Sequence, residues 1–216
     1  IEQTDRTSRI LQSLVNFAHT GTSKTEYEQS SVSIAECMEE ARTLISLDKK
    51  SKDINIELHC DPRARIRGDA QRLLQVLVNL INNARDASQP NSTIQMRAVI
   101  EGDIVRLSVT DEGIGIPAAI MDRVFDPFFT TKEAGEGTGL GLSLVFSIVE
   151  DLKGEIDIIS PADKLSGKGT EVLLRFPWLK DDIEAIDTTS GTGENGHEQD
   201  GGNEQENQQS GRVGRA

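Results

Sequence analysis

Two asparagines four residues apart, Asn79 and Asn83, interrupt a run otherwise rich in leucine, isoleucine and valine between Leu73 and Ala87. At that spacing on a helix the two amides project from one side, with Asp86 a turn further along. Neutral amide oxygens suit a hard cation that keeps water and phosphate ligands, such as Mg²⁺ beside a nucleotide. A solvent-facing polar stripe is the plainer reading, but Asn is a poor helix former and Glu, Lys or Arg would serve such a face better. A second candidate is Asp111. Strand alternation places it on one face with Val105, Leu107 and Val109. A carboxylate there is costly unless hydrogen-bonded. An adenine amino group would satisfy it, and so would a cap on the following turn. Thr170 has the same parity as Val172, Leu174 and Phe176, so its hydroxyl beside Asp111, with or without a bridging water, would complete a purine-reading pair.

Two glycine segments follow. Gly113 and Gly115, in Asp111-Glu-Gly-Ile-Gly-Ile116-Pro117, let the backbone approach a flat ring with no Cβ in the way. A lone pair of this kind is more often a turn. Gly137-Thr138-Gly139-Leu140-Gly141-Leu142 runs straight into a helical pattern, and free N–H groups at a helix start make a phosphate site. The dinucleotide fingerprint fails, because it needs glycine at Leu142 or Leu144, and no P-loop spacing occurs. Between the glycine segments lies Phe125-Asp-Pro-Phe128-Phe129-Thr-Thr-Lys132. Three aromatics there would be odd on an open surface. They fit a lid that docks its rings on the core or a partner, with Lys132 in reach of a phosphate; core filler is the plainer alternative.

The positioning elements are read from two periods. Val32 to Ile34 starts as a strand and continues as a helix to about Leu47, with Met38, Ala41, Leu44 and Ile45 on one face. Ile54, Ile56 and Leu58 alternate as a strand. Asp69 caps a helix that stops before Gln89-Pro90-Asn91. Ile94–Ile100 and Ile104–Asp111 form a hairpin across Glu101-Gly102-Asp103. Residues 138–152 return to helix, followed by strands at Glu155–Ile159 and Thr170–Phe176. The mixture predicts an α/β (α+β) fold, a two-layer sandwich with a mixed sheet packed on helices and a glycine-rich lid, rather than a doubly wound sheet. Ahead of it Ile10, Leu14 and Phe17 mark a helix, giving expected units of residues 1–21, 29–179 and 180–216.

Charge sharpens these boundaries. The chain has 216 residues and a net charge of -13. Residues 180–216 carry nine acids and three bases with scarcely an apolar side chain, so an acidic disordered tail is expected. Such acidity argues against nucleic acid as a partner. Two cysteines, Cys37 and Cys60, without metal-type spacing point to a reduced cytoplasmic compartment. No apolar run approaches the ~20 residues that span a bilayer, so a membrane would be reached only through segments outside this chain.

In order, these motifs resemble the histidine kinase branch of the Bergerat-type ATPase superfamily, which also holds gyrase, Hsp90 and MutL. The N box is Asn79-Leu-Ile-Asn-Asn83-Ala84, the first glycine box Asp111 to Gly115, the F box Phe125 to Phe129, and the second glycine box Gly137 to Leu142. The resemblance implies ATP and Mg²⁺ as cofactors, with Asn83 on the metal and Asn79 in supporting polar contacts. It implies Asp111 on the adenine amino group and phosphates at Gly137, Thr138, Gly139, Leu140, Gly141 and Leu142. Further nucleotide contacts are implied at Ala84, Ala87, Gly113, Gly115, Ile116, Lys132 and Thr170, and Asn79, Asn83 and Lys132 are the implied catalytic set. Hydrolytic members carry a Glu where Asn79 stands. An amide cannot be that base, so phosphoryl transfer is favoured over hydrolysis.

The PFFTTK form is similar to kinases of the nitrogen-regulator-sensor type. The implied activity moves the γ-phosphoryl group of ATP to a histidine and then to an aspartate on a response regulator receiver domain, in a homodimer. None of His19, His59 or His197 has the acceptor's acidic-then-proline setting. Residues 1–21 resemble the second helix of the dimerisation hairpin, so the acceptor helix is expected upstream and the chain is expected to bind ATP without phosphorylating itself. Two alternatives stay open: an interaction module that needs no nucleotide, and a Bergerat-type ATPase.

Overall fold

The computed structural model describes residues 30–47, 54–133 and 137–180. The expected helix within residues 1–21 and the tail after Lys180 lie outside them. Strand β1 (Ser30–Ser33) runs into α1 (Ile34–Ser46), where the Ser33 hydroxyl accepts the Glu36 N–H at 3.4 Å as an N-cap. Helix α1 buries Ile34, Cys37, Met38, Ala41 and Ile45. Leu44, expected on that face, is 46% exposed: it stands at the margin of the buried stripe, about 20° beyond Cys37 around the helix, in the last turn of α1.

Helix α2 (Ala70–Ala87) carries the two asparagines. Asp69 caps it, with Oδ1 accepting the Gln71 N–H at 2.7 Å. Its apolar face, from Leu73 to Ala84, is buried, so Asn79 and Asn83 are turned to the rim of the core. The sheet contains β2 (Asn55–Cys60), β4 (Thr93–Glu101), β5 (Ile104–Asp111), β6 (Glu155–Ile159) and β7 (Thr170–Pro177), in the order β2-β4-β5-β7-β6. Only β2 is parallel to its neighbour, and β4 and β5 form the expected hairpin, turned at Gly102 with φ 64°. The sheet is mixed and its inner face packs on helices.

That inner face supplies Met96, Ala98, Val105, Leu107, Leu174 and Phe176, all at most 1% exposed. The outer face carries ion pairs such as Arg106 to Glu171 at 3.3 Å and Arg175 to Asp157 at 2.5 Å. One strand escaped the sequence patterns: β3 (Arg65–Gly68) pairs antiparallel with β1 as a separate two-stranded sheet. Helix α3 (Gly141–Asp151) starts later than residue 138, because Gly139 holds φ 67°, outside the helical region.

Candidate functional site

The β5–β7 pairing sets Asp111 directly opposite Thr170. Both are buried, at 7% and 6% exposure. Asp111 Oδ1 accepts two backbone N–H groups, from Gly113 at 2.8 Å and from Thr170 at 3.2 Å. The turn-capping role falls on Oδ1 alone: Oδ2 accepts no hydrogen bond from the described residues. Burial holds the Asp111 pKa above its ordinary value, and the two backbone bonds only partly oppose that rise. The Thr170 hydroxyl likewise bonds to none of the described residues, so a polar pair stands at the edge of an apolar face with hydrogen-bonding capacity in hand.

The first glycine segment lies against the C-terminal end of α2. A Cβ on Gly113 would come within 2.6 Å of the Ala87 carbonyl oxygen, and the Ile114 N–H donates to that same oxygen at 3.2 Å. Ala87, Asp111, Gly113 and Gly115 thus gather at one end of the site. The Ile116 N–H is held by the Ser160 hydroxyl at 2.7 Å. Neither Ser160 nor Gly169, whose N–H donates to the Gly113 carbonyl at 2.8 Å, was among the residues foreseen. The Gly-Lys-Gly run before Thr170 was the one available signal.

At the other end, the start of α3 faces the paired amides. A Cβ on Gly141 would lie 3.6 Å from Asn79 Oδ1 and 3.8 Å from Asn83 Nδ2. Asn79 Nδ2 donates to the Gln75 carbonyl at 2.8 Å, which aims its oxygen at the glycines. The Asn83 amide bonds to none of the described residues. Leu140 caps α3 without a side-chain bond, so the N–H groups of the first turn have no intrahelical acceptor. The Thr138 hydroxyl accepts the Leu140 N–H at 3.3 Å, and Leu142 is half-buried beside it. The Ala84 and Leu140 side chains are core, 4% and 3% exposed, which leaves their backbones to form the wall.

The aromatic loop divides. Phe125 packs on Phe146 with centroids 5.5 Å apart, and Phe129 lies under Arg123 at 4.6 Å. Phe128, expected to dock, is 65% exposed; its backbone does the docking instead, with its N–H donating to the Gly139 carbonyl at 2.9 Å. A short six-residue 3₁₀ helix, Ala118–Arg123, precedes this loop. Lys132 Nζ pairs with Asp86 at 2.5 Å over the last turn of α2, while its stem lies against the second glycine segment, where a Cβ on Gly137 would come within 3.2 Å of Lys132 Cβ and Cδ. Burial pushes the Cys37 and Cys60 thiols up to about 11, which removes both as nucleophiles near neutral pH. Among the described residues no His, Cys, Asp and Glu cluster could hold a metal.

Comparison with known proteins agrees with this arrangement. The profile of the histidine kinase-, DNA gyrase B- and HSP90-like ATPases matches residues 68–180. The sensor histidine kinase ZraS of Escherichia coli (strain K12) is 35% identical over 82% of this chain, which spans 36% of that kinase. The catalytic domain of histidine kinase ThkA superposes with a TM-score of 0.62 at 30% identity, over 70% of this chain and 97% of that one. ThkA has also been solved with the response regulator protein TrrA, with a TM-score of 0.66 at 26% identity over 82% of this chain and 49% of that one. Full-length ShkA in complex with AMPPNP superposes with a TM-score of 0.69 at 27% identity, covering 82% of this chain and 37% of that one. The chain therefore belongs to the histidine kinase-, DNA gyrase B- and HSP90-like ATPase family, as a catalytic domain of the sensor histidine kinase kind.

Proposed function

We propose that this domain binds Mg·ATP and presents its γ-phosphoryl group to a histidine carried outside the described residues, for relay to a response regulator aspartate. The observation that carries this reading is the start of α3 facing Asn79 and Asn83, whose amides lie within 4 Å of where a Cβ on Gly141 would stand. Phosphoryl transfer needs positioning and charge neutralisation more than covalent help, and that rim supplies the positioning. The adenine amino group is assigned to Asp111 Oδ2, with Thr170 beside it and the Gly113–Ile116 backbone against the ring. Phosphates are assigned to Gly137–Leu142, and Lys132 is a lid cation that would exchange Asp86 for phosphate. Asn83, whose amide is uncommitted, would hold Mg²⁺, which supplies charge neutralisation at the phosphate oxygens.

An amide at position 79 provides no general base for water, which supports transfer over hydrolysis. Two neighbours add support: ShkA binds the ATP analogue AMPPNP, and ThkA pairs with a response regulator. The homodimer of the intact protein is proposed on the resemblance of residues 1–21 to a hairpin helix. No described helix is long and apolar enough to cross a membrane, and a cytoplasmic setting is proposed from the need for ATP and the two free thiols.

Incubation with γ-labelled ATP and a separately supplied acceptor hairpin tests the reading. Acid-labile, base-stable label is expected on the hairpin and none on this chain. Label on the chain itself, or steady ADP release with no acceptor, would contradict it. Asn83→Ala is expected to lower ATP affinity in Mg²⁺ about tenfold, roughly 1.4 kcal/mol, and to leave affinity in EDTA unchanged. A pH series adds an independent check. Reading an amino group needs Asp111 ionised, and its native pKa lies above the ordinary 3.8. ATP affinity should therefore fall as pH is lowered through that raised value, at a higher pH than a solvent carboxylate would give, while an Asp111→Ala variant shows no such step.

A further inference from the structure

We propose that Ser160 is a positioning residue for the base-binding end of this site, locking the loop after Asp111 against the start of β7. The inference rests on the nucleotide-binding reading above. The Ser160 hydroxyl stands between two segments that both carry site residues. It accepts the Ile116 N–H at 2.7 Å and donates to the Gly169 carbonyl at 3.1 Å. The Gly169 N–H donates to the Gly113 carbonyl at 2.8 Å, and the next N–H, of Thr170, donates to Asp111 Oδ1 at 3.2 Å. These bonds close a ring that runs from Asp111 through Gly113 to Ile116, across Ser160, and back along Gly169 and Thr170.

The ring has little slack. A Cβ on Gly169 would lie 2.3 Å from the Asp111 carbonyl oxygen, and one on Gly115 would lie 3.0 Å from the Ser160 hydroxyl. Gly115 and Gly169 hold φ of 75° and 80°, a region that residues with a Cβ enter at a cost. A short hydroxyl is the group that can accept and donate at once from so close a stem. Deleting it leaves the Ile116 N–H without a partner in a half-buried spot, while the Gly169 carbonyl keeps the Ala162 N–H at 3.0 Å. The Ile116 end of the backbone that forms the wall against the ring then loses its anchor, while Gly113 and Ile114 keep their bonds to Asp111, Gly169 and Ala87. The phosphate end is untouched, because neither Asn79, Asn83 nor Gly141 bonds to Ser160.

The test is titration of the wild-type chain, Ser160→Ala and Ser160→Thr with ATP and, separately, with adenosine. Ser160→Ala is expected to weaken both ligands by the same factor, about tenfold. Ser160→Thr, which keeps the hydroxyl, is expected within about twofold of wild type. Amide exchange at Ile116 should accelerate in Ser160→Ala and not in Ser160→Thr. A merely structural serine would lower the melting temperature and leave the affinities of folded protein unchanged. Unchanged affinities, or a loss confined to ATP, overturn the proposal. If Ser160→Ala does not fold, Ser160→Cys keeps a γ atom with weaker hydrogen bonding, and the same equal loss for both ligands is required of it. A wild-type chain that binds neither ligand overturns the nucleotide-binding reading and this proposal with it, an outcome distinct from wild-type binding that Ser160→Ala fails to change.

Discussion

Asp111→Asn is expected to lower ATP affinity at least about 100-fold, some 2.7 kcal/mol, without loss of stability. Oδ1 is fixed by the Gly113 and Thr170 N–H groups, so the asparagine oxygen takes its place and the NH₂ group takes the place of Oδ2. A donor then faces the adenine amino group. Loss of one charge-assisted bond costs about 1.5–3 kcal/mol, and the donor–donor contact adds to it. Stability moves the other way. Burial raises the native pKa of Asp111, so the folded state holds a proton at pH values where the unfolded chain has lost it. Stability contributed by this group therefore falls as pH rises from 3.8 through the native value, and stays lost above it. The neutral amide removes that cost, and the melting temperature should be unchanged or higher. Titration calorimetry beside a thermal melt reads both. Binding at wild-type strength would remove Asp111 from the site.

Gly139→Ala acts at the opposite end. Its φ of 67° costs a residue with a Cβ about 1–2 kcal/mol. The new Cβ would lie 2.3 Å from the Phe128 carbonyl carbon and 2.6 Å from its Cα and oxygen, all backbone atoms that cannot rotate away. The bond from the Phe128 N–H to the Gly139 carbonyl should break, lifting the aromatic loop and turning the approach to Gly141. Affinity for ATP is expected to fall about 30-fold, or about 2 kcal/mol, and affinity for adenosine to stay as it was, since Asp111 and Thr170 are not involved. An equal loss for adenosine would mean that the substitution damages the whole domain rather than the phosphate end.

What could be read from the chain alone was whatever a single period reports. The shared parity of Asp111 and Thr170 survived folding because alternation along a strand is local, and the pairing of β5 with β7 then had to bring the two together. Asn79 and Asn83 were legible for the same reason on a helix. The ion pair of Lys132 with Asp86 was not: the two lie 46 residues apart, a distance no period spans. Strand β3 has one apolar residue among Arg65, Ile66, Arg67 and Gly68, too few to show alternation. Ser160 and Gly169 sit in an aperiodic connection whose importance comes only from its bonds to the Gly113–Ile116 loop. Of the ring docking expected on the core or a partner, Phe128 makes none on the core: its backbone at φ 67° makes the contact and its ring is left outside.

The central claim, that Asp111 reads an amino group at the base end while α3 and the paired amides take the phosphates, is tested most directly by titrating the chain with Mg·ATP and with Mg·GTP. ATP should bind saturably at one site, at least about 100-fold more tightly than GTP, because guanine presents a carbonyl oxygen where adenine presents the amino group. Equal affinity for the two nucleotides, or no binding of ATP, would contradict the account.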